Sequence, residues 1–220
     1  MGIFDWFRNR SGFRQFDDSF ALHHSAALDH IKEIVLGNGS TGKNLWLIAH
    51  FPIAFVELQN HLESWQVNYE VVTEPIDANG MSDVFKDPTS IKLVLSPLIP
   101  TVEYPLEPSD SPVTQGLLIV DRHPLITHDK RILQFARNCP YKVELGYVLS
   151  LDHPVLKLVV TDSLVELMGQ LGMRKDELIS SSMVSRRLEK KLTRLSALFT
   201  GDGPEESAES WLEKYHQTDG

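Results

Sequence analysis

The chain has 220 residues, 42% of them apolar, enough for one substantial domain with a buried core and helical appendages, so a disordered chain is excluded. With 30 acidic against 21 basic residues the net charge is −9, which disfavours the sequence-independent grip on phosphate backbones used by basic proteins; no nucleic-acid partner is expected. Cys139 is the lone cysteine, no positive-then-apolar leader is present, and no apolar run approaches the roughly 20 residues that cross a bilayer, so the expectation is a reducing, cytoplasmic setting without a transmembrane segment.

The opening stretch, Met1 to Arg8, is aromatic, and Trp6 stands where a myristoylation signal needs Ser or Thr. It reads as a frayed or packed terminus, with a membrane-surface or partner contact as the alternative. Leu28, Ile31 and Val35 recur at helical spacing, predicting an amphipathic helix over 25–36. Leu45 to Ala49 is a continuous apolar run, as in a parallel strand covered on both faces. Pro52 opens a second helix with Phe55, Leu58, Leu62 and Trp65 on one face. Short strands are predicted over 69–72, 91–95 and 117–120, the last two separated by a proline-rich loop.

Thr127 is placed as the cap of a third helix, with Asp129 in its first turn and Ile132 and Ala136 facing inward; a strand over 143–149 follows Pro140. Strands alternating with helices predict a doubly wound α/β sheet. Beyond Leu151 only helices are expected: one capped by Thr161 with Leu164, Met168 and Leu171 inward, and one from about Met183 with Val184, Leu188, Leu192, Leu195 and Phe199 inward. The outward residues of that second helix, Arg186, Arg187, Lys190, Lys191 and Arg194, form the one basic face of an acidic chain, either solvated or a docking surface for an acidic partner. The expected organisation is an extension over 1–24, an α/β domain over 25–151, a helical region over 152–200 and a polar tail over 201–220 with a last short helical turn from Trp211.

Gly37 to Asn44 looks like a phosphate-binding loop, but the order of its surroundings is inverted. Such a loop needs a strand leading in and a helix leading out, so that amides and the positive helix end converge on the phosphates. Here a helix leads in, a strand leads out, and Asn44 holds the position of the magnesium-ligating hydroxyl. The stretch is read as a flexible helix-to-strand connection.

The segment Tyr147-Val148-Leu149-Ser150-Leu151-Asp152-His153-Pro154-Val155-Leu156-Lys157-Leu158, followed by Leu167-Met168-Gly169-Gln170-Leu171-Gly172-Met173, resembles the SecA preprotein translocase ATPase, where Y-L-S-x-[DE]-D leads from the second RecA-like motor domain through L-G-M to a long scaffold helix. Upstream, Gly116 to His123 resembles the family's G-L-H-I-I-G-T-E-R-H, and Arg131-Ile132 with Arg137 resembles R-I-D-N-Q-L-R; the likeness covers about residues 25 to 199. The resemblance implies a three-layer, mostly parallel RecA-like sheet of the P-loop NTPase superfamily, with C-terminal helices at the start of the scaffold. It also implies a lost activity. Asn138-Cys139-Pro140 replaces the glycines and later arginines of G-R-S-G-R-Q-G-D, Ser96 to Pro100 replaces G-R-G-T-D-I, and the first motor domain is absent.

Asp121, Arg122 and His123 end a strand where open α/β sheets bind ligands, and are read either as a ligand-facing trio or as remnants fixing a turn. Arg131 and Arg137 are further nucleotide-facing candidates by resemblance. His23, His24, Asp29 and His30 lack the spacing of a metal site, no G-x-S-x-G elbow is present, and Cys139 beside Pro140 needs no reactivity to explain it. No catalytic residue, metal or cofactor is expected. The function implied is a stand-alone, catalytically degenerate binding or regulatory module with a protein partner and a link to protein export. The alternatives are a half-site ATPase component whose arginine reaches a nucleotide on a partner's phosphate loop, and a small-molecule site near Asp121.

Overall fold

The computed structural model describes residues 12–76, 90–107, 113–161, 165, 174, 177–199 and 203–216. Eight strands form one sheet: β1 (Phe13–Gln15), β2 (Ser19–Ala21), β3 (Asn44–Ala49), β4 (Glu70–Val72), β5 (Ile91–Leu95), β6 (Gln115–Ile119), β7 (Val143–Ser150) and β8 (Leu178–Ser180). Their order is β4-β5-β3-β6-β7-β2-β8, with β1 also on β7, and every pairing is parallel except that of β8 with β2. Five helices are described: α1 (His24–Gly37), α2 (Pro52–Ser64), α3 (Ile126–Asn138), α4 (Ser182–Leu198) and α5 (Ala208–Tyr215).

All six residues of β3 are buried because successive side chains point to opposite faces and both faces are covered. Leu45 and Leu47 pack beneath Ile31, Val35, Leu58 and Leu62 of α1 and α2. Trp46 and Ile48 face the core that α3, α4 and α5 close with Phe135, Leu188, Leu192 and Trp211. The result is the expected three-layer, mostly parallel α/β fold with C-terminal helices.

The chain leaves β3 for β4 and β5 on one side and returns to place β6 on the other. The helices that follow the neighbours β3 and β6, α2 and α3, therefore lie on opposite faces. Their loops part at the carboxyl ends of the two strands and leave a crevice, the place where open α/β sheets hold ligands.

The structure differs from the sequence expectations at the two ends of the sheet and at one helix cap. The sheet extends beyond 25–151 at both ends: β1 and β2 come from the predicted extension, and β8 breaks the predicted all-helical stretch. The polar tail carries α5, whose Trp211 is 0% exposed, because one large apolar side chain anchors an otherwise polar segment. Thr127 lies inside the first turn of α3, not at its cap; the cap position is Leu125, and Ser196 Oγ accepts the Ile126 N–H at 2.9 Å. Of the helix predicted from Thr161, the inward residues Leu164, Met168 and Leu171 lie outside the described residues; the Val165 N–H donates to Thr161 O at 3.2 Å. The second helix is found as α4, with Val184, Leu188, Leu192 and Leu195 buried.

The glycine-rich loop sits at the amino end of β3, opposite the crevice, and side-chain hydrogen bonds hold it there. Thr41 Oγ1 donates to Asn38 O at 2.8 Å, Asn38 Nδ2 to Lys43 O at 3.0 Å, and Lys43 Nζ to Glu144 Oε2 at 2.5 Å. Gly42 turns the chain at φ 66°, which a glycine adopts without steric cost.

Candidate functional site

Asp121 lies two residues beyond the end of β6 and is 4% exposed. Its carboxylate reaches across the switch point to the start of α2, where Oδ1 accepts the His50 N–H at 2.7 Å and Oδ2 the Phe51 N–H at 3.1 Å. Phe51 is the N-cap of α2 and His50 precedes it, so the carboxylate braces the entry to the helix, while Pro52 at its first position has no N–H to offer. Burial pushes the Asp121 carboxyl above its usual range, against the pull of His50 and the two amides.

Behind Asp121 lies a buried polar network drawn from five segments. The His50 ring places Nδ1 3.0 Å from Ser96 Oγ and Nε2 3.2 Å from Asp129 Oδ1, while Arg122 Nε lies 2.9 Å from Asp129 Oδ2. Burial alone would raise the Asp129 carboxyl, but the Arg122 guanidinium and His50 beside it hold it below the usual value. Arg122 also covers the Tyr147 ring at 4.4 Å, and Arg131 donates to Ser96 O at 2.5 Å.

His123 stacks on His128 with centroids 3.6 Å apart and on Phe51 at 4.9 Å, and meets Trp211 edge-on at 6.0 Å. Burial, then His128 and His50 nearby, push its pKa down to about 2. The ring is neutral, and Nδ1 accepts the Leu125 N–H at 3.0 Å, which leaves the proton on Nε2.

Ser96, His50 and Asp129 have the connectivity of a nucleophile, base and acid. Ser96 is 0% exposed, and the ring turns Nδ1 to the hydroxyl, the reverse of the usual relay. No substrate reaches that oxygen, so the chemistry of the trio is to lock the loops after β3 and β5 to α3.

Beside this network, on the α1 and α2 face, a cavity of about 450 Å³ opens at the carboxyl ends of β3, β6 and β7. Asp121 lies on its inner wall, with Leu28, Ile31, Phe51, Leu58 and Val120 around it, and Ser207 to Glu209 at the start of α5 close one side. The Ile53 N–H donates to Glu206 O at 3.1 Å, which fastens that closing segment to α2.

Of the residues expected at a site, Asp121, Arg122 and His123 are brought together, but all three are buried and engaged inside the protein. Arg131 joins the network from α3. Arg137 does not: it is exposed at the end of α3, its guanidinium 5.7 Å from the Phe13 ring, and Phe13 pairs with Val143 at the amino end of β7. Arg186, Arg187, Lys190 and Arg194 are exposed on α4, and Lys191 is half-buried. His24 and His30 pair with Glu57 and Glu33, and no group of three His, Cys, Asp or Glu is placed to hold a metal among the described residues. Cys139 is free and buried, its thiol raised to about 11 by that burial. Sequence reading missed His50, although it follows the most buried strand directly, as Asp121 lies two residues beyond β6.

No described helix is long and apolar enough to cross a membrane. No protein-family model matches the chain, and no curated protein matches it. One solved structure similar to it is the C-terminal part of the Fun30 ATPase domain, at 12% identity and a TM-score of 0.41; the likeness covers 76% of this chain and 54% of that one. At that distance it assigns neither family nor activity.

Proposed function

We propose that this chain is a catalytically silent, RecA-like module that works by binding and regulation in the cytoplasm, and that the translocase resemblance of its Tyr147 to Met173 segment points to protein export as its setting. The observation that supports silence is the Asp121 carboxylate on the amides of His50 and Phe51, which occupies the switch point with a protein side chain. A nucleotide phosphate placed there finds those donors already engaged. The exposed basic face of α4, with Arg186, Arg187, Lys190 and Arg194, is the surface for an acidic protein partner. Titration with ATP and magnesium is expected to give no binding; saturable binding with phosphates protected from a phosphatase would end this reading.

The alternative is a half-site ATPase component completed by a partner's phosphate loop. Arg131 is spent on Ser96 O, so the arginine offered to a partner's nucleotide would be Arg137, from the amino edge of the sheet. ATP turnover by translocation motor proteins, measured with the chain and with Arg137→Ala, separates the two. Stimulation that the variant loses would favour the half-site and overturn silence.

A further inference from the structure

The cavity beside Asp121 has features that the network behind it does not explain. Its walls are apolar, built from Ala27, Leu28, Ile31, Phe51, Leu58 and Val120, and its volume of about 450 Å³ falls in the range of small-molecule sites. Ser150, at the end of β7, lines it, is 3% exposed, and its hydroxyl has no hydrogen-bond partner among the described residues. The hydroxyl opens to the cavity, where a ligand group can pair with it.

The charges around the cavity decide which ligand. Four carboxylates border it, from Glu57, Asp121, Asp152 and Glu209, against one ammonium from Lys157. Backbone donors at two of the helix starts beside it are taken: Asp121 holds the His50 and Phe51 amides before α2, and Asp152 Oδ2 accepts the His24 N–H at the start of α1 at 3.1 Å. His153, driven down to about 4 by burial, is neutral and adds no positive charge. Glu57 Oε1 lies 2.8 Å from His24 Nε2, which fixes this carboxylate at the rim and leaves its second oxygen free of protein partners among the described residues.

We propose that the cavity binds a small organic cation, an ammonium group carried on an apolar ring or chain. The body fills the space between α1, α2 and the sheet, and the ammonium group takes the Ser150 hydroxyl and the Glu57 and Asp152 carboxylates. This deepens the reading of the chain as a binding module and rests on it.

The test uses the full chain and three probes: phenethylamine, 3-phenylpropionate as its charge-reversed counterpart, and ATP with magnesium. Calorimetry is expected to show saturable binding of phenethylamine alone. Glu57→Gln is expected to weaken it about tenfold or more, the size of a lost charge-assisted hydrogen bond, and Ser150→Ala by a smaller factor. Ala54→Trp, at a half-buried position of α2 on the cavity wall, is expected to abolish it with an unchanged circular dichroism spectrum. Equal or tighter binding of phenylpropionate, amine binding indifferent to both Glu57→Gln and Ala54→Trp, or no amine binding at millimolar concentration overturns the proposal. If ATP competes with the amine, the silent-module reading falls with it; if neither binds, only the cation site falls.

Discussion

Trp211 of α5 and His123 of the β6–α3 loop meet edge to face, their ring centroids 6.0 Å apart, although one lies in a tail of polar composition and the other at the ligand end of the sheet. The tail is thereby part of the core. Trp211 also touches Phe199 and Tyr215 with centroids at 5.7 and 5.0 Å. Trp211→Ala is expected to cost about 3–5 kcal/mol, the range for deleting a fully buried aromatic, and Trp211→Phe clearly less. Urea unfolding followed by circular dichroism measures both. A loss under about 1 kcal/mol for the alanine variant would mean that α5 does not seal the core.

Asp121 supplies a second prediction, since its carboxylate alone satisfies two amides at the start of α2. Asp121→Ala leaves those donors open beside a positive helix end, so stability is expected to fall by about 3 kcal/mol, of the order of two charge-assisted bonds. The same change should create an anion site. Inorganic phosphate is expected to raise the melting temperature of the variant and leave that of the parent chain nearly unchanged. Equal stabilisation of both would place the phosphate elsewhere.

What was legible in the sequence follows from how each feature is built. The run Leu45 to Ala49 announced β3 because burial on both faces removes any polar alternation, and Val184, Leu188, Leu192 and Leu195 announced α4 because one helical stripe meets the core. β1, β2 and β8 are three residues each, too short to show a period, and their partners are remote: Phe20 pairs with both Leu149 and Ile179. Asp121 was found at the ligand end by its place after a strand, yet nothing local says that it turns inward to His50 and Phe51. The spacing puts Asp129 in the first turn of α3, where it is found; tertiary packing adds His50 and Arg122, which no local pattern encodes.

That buried pair gives a third prediction. Arg122 and Asp129 are 7% and 5% exposed, so removing either partner leaves the other charged in a dry interior. Arg122→Met and Asp129→Leu are each expected to cost about 3–5 kcal/mol, whereas the double variant should recover a large part, because replacing a whole buried pair by apolar groups is often near neutral. A thermodynamic cycle of the four proteins reads the coupling directly. Additive losses would show that the two side chains do not act as a pair.

The fourth prediction concerns acid. His123 is depressed to about 2 and His153 to about 4, in both cases first by burial, so between the usual histidine pKa near 6.5 and pH 4 the unfolded chain binds protons at both positions and the folded chain does not. Stability is therefore lost as pH falls through that window, by up to about 1.4 kcal/mol per pH unit for each histidine, and below about 4 only His123 continues the loss. Asp121 acts the other way: its raised carboxyl takes up a proton in the folded chain first, which favours the folded form at low pH and offsets part of the decline. Replacing His153 by Asn, whose side-chain oxygen can accept the Val155 N–H that Nδ1 accepts at 3.2 Å, removes one of the two titrations. Urea unfolding at pH 7, 6, 5 and 4.5 is expected to show a steep decline for the parent chain and a shallower one for His153→Asn. A parent profile that stays flat to pH 4.5 would mean that these rings are open to protonation in the folded protein.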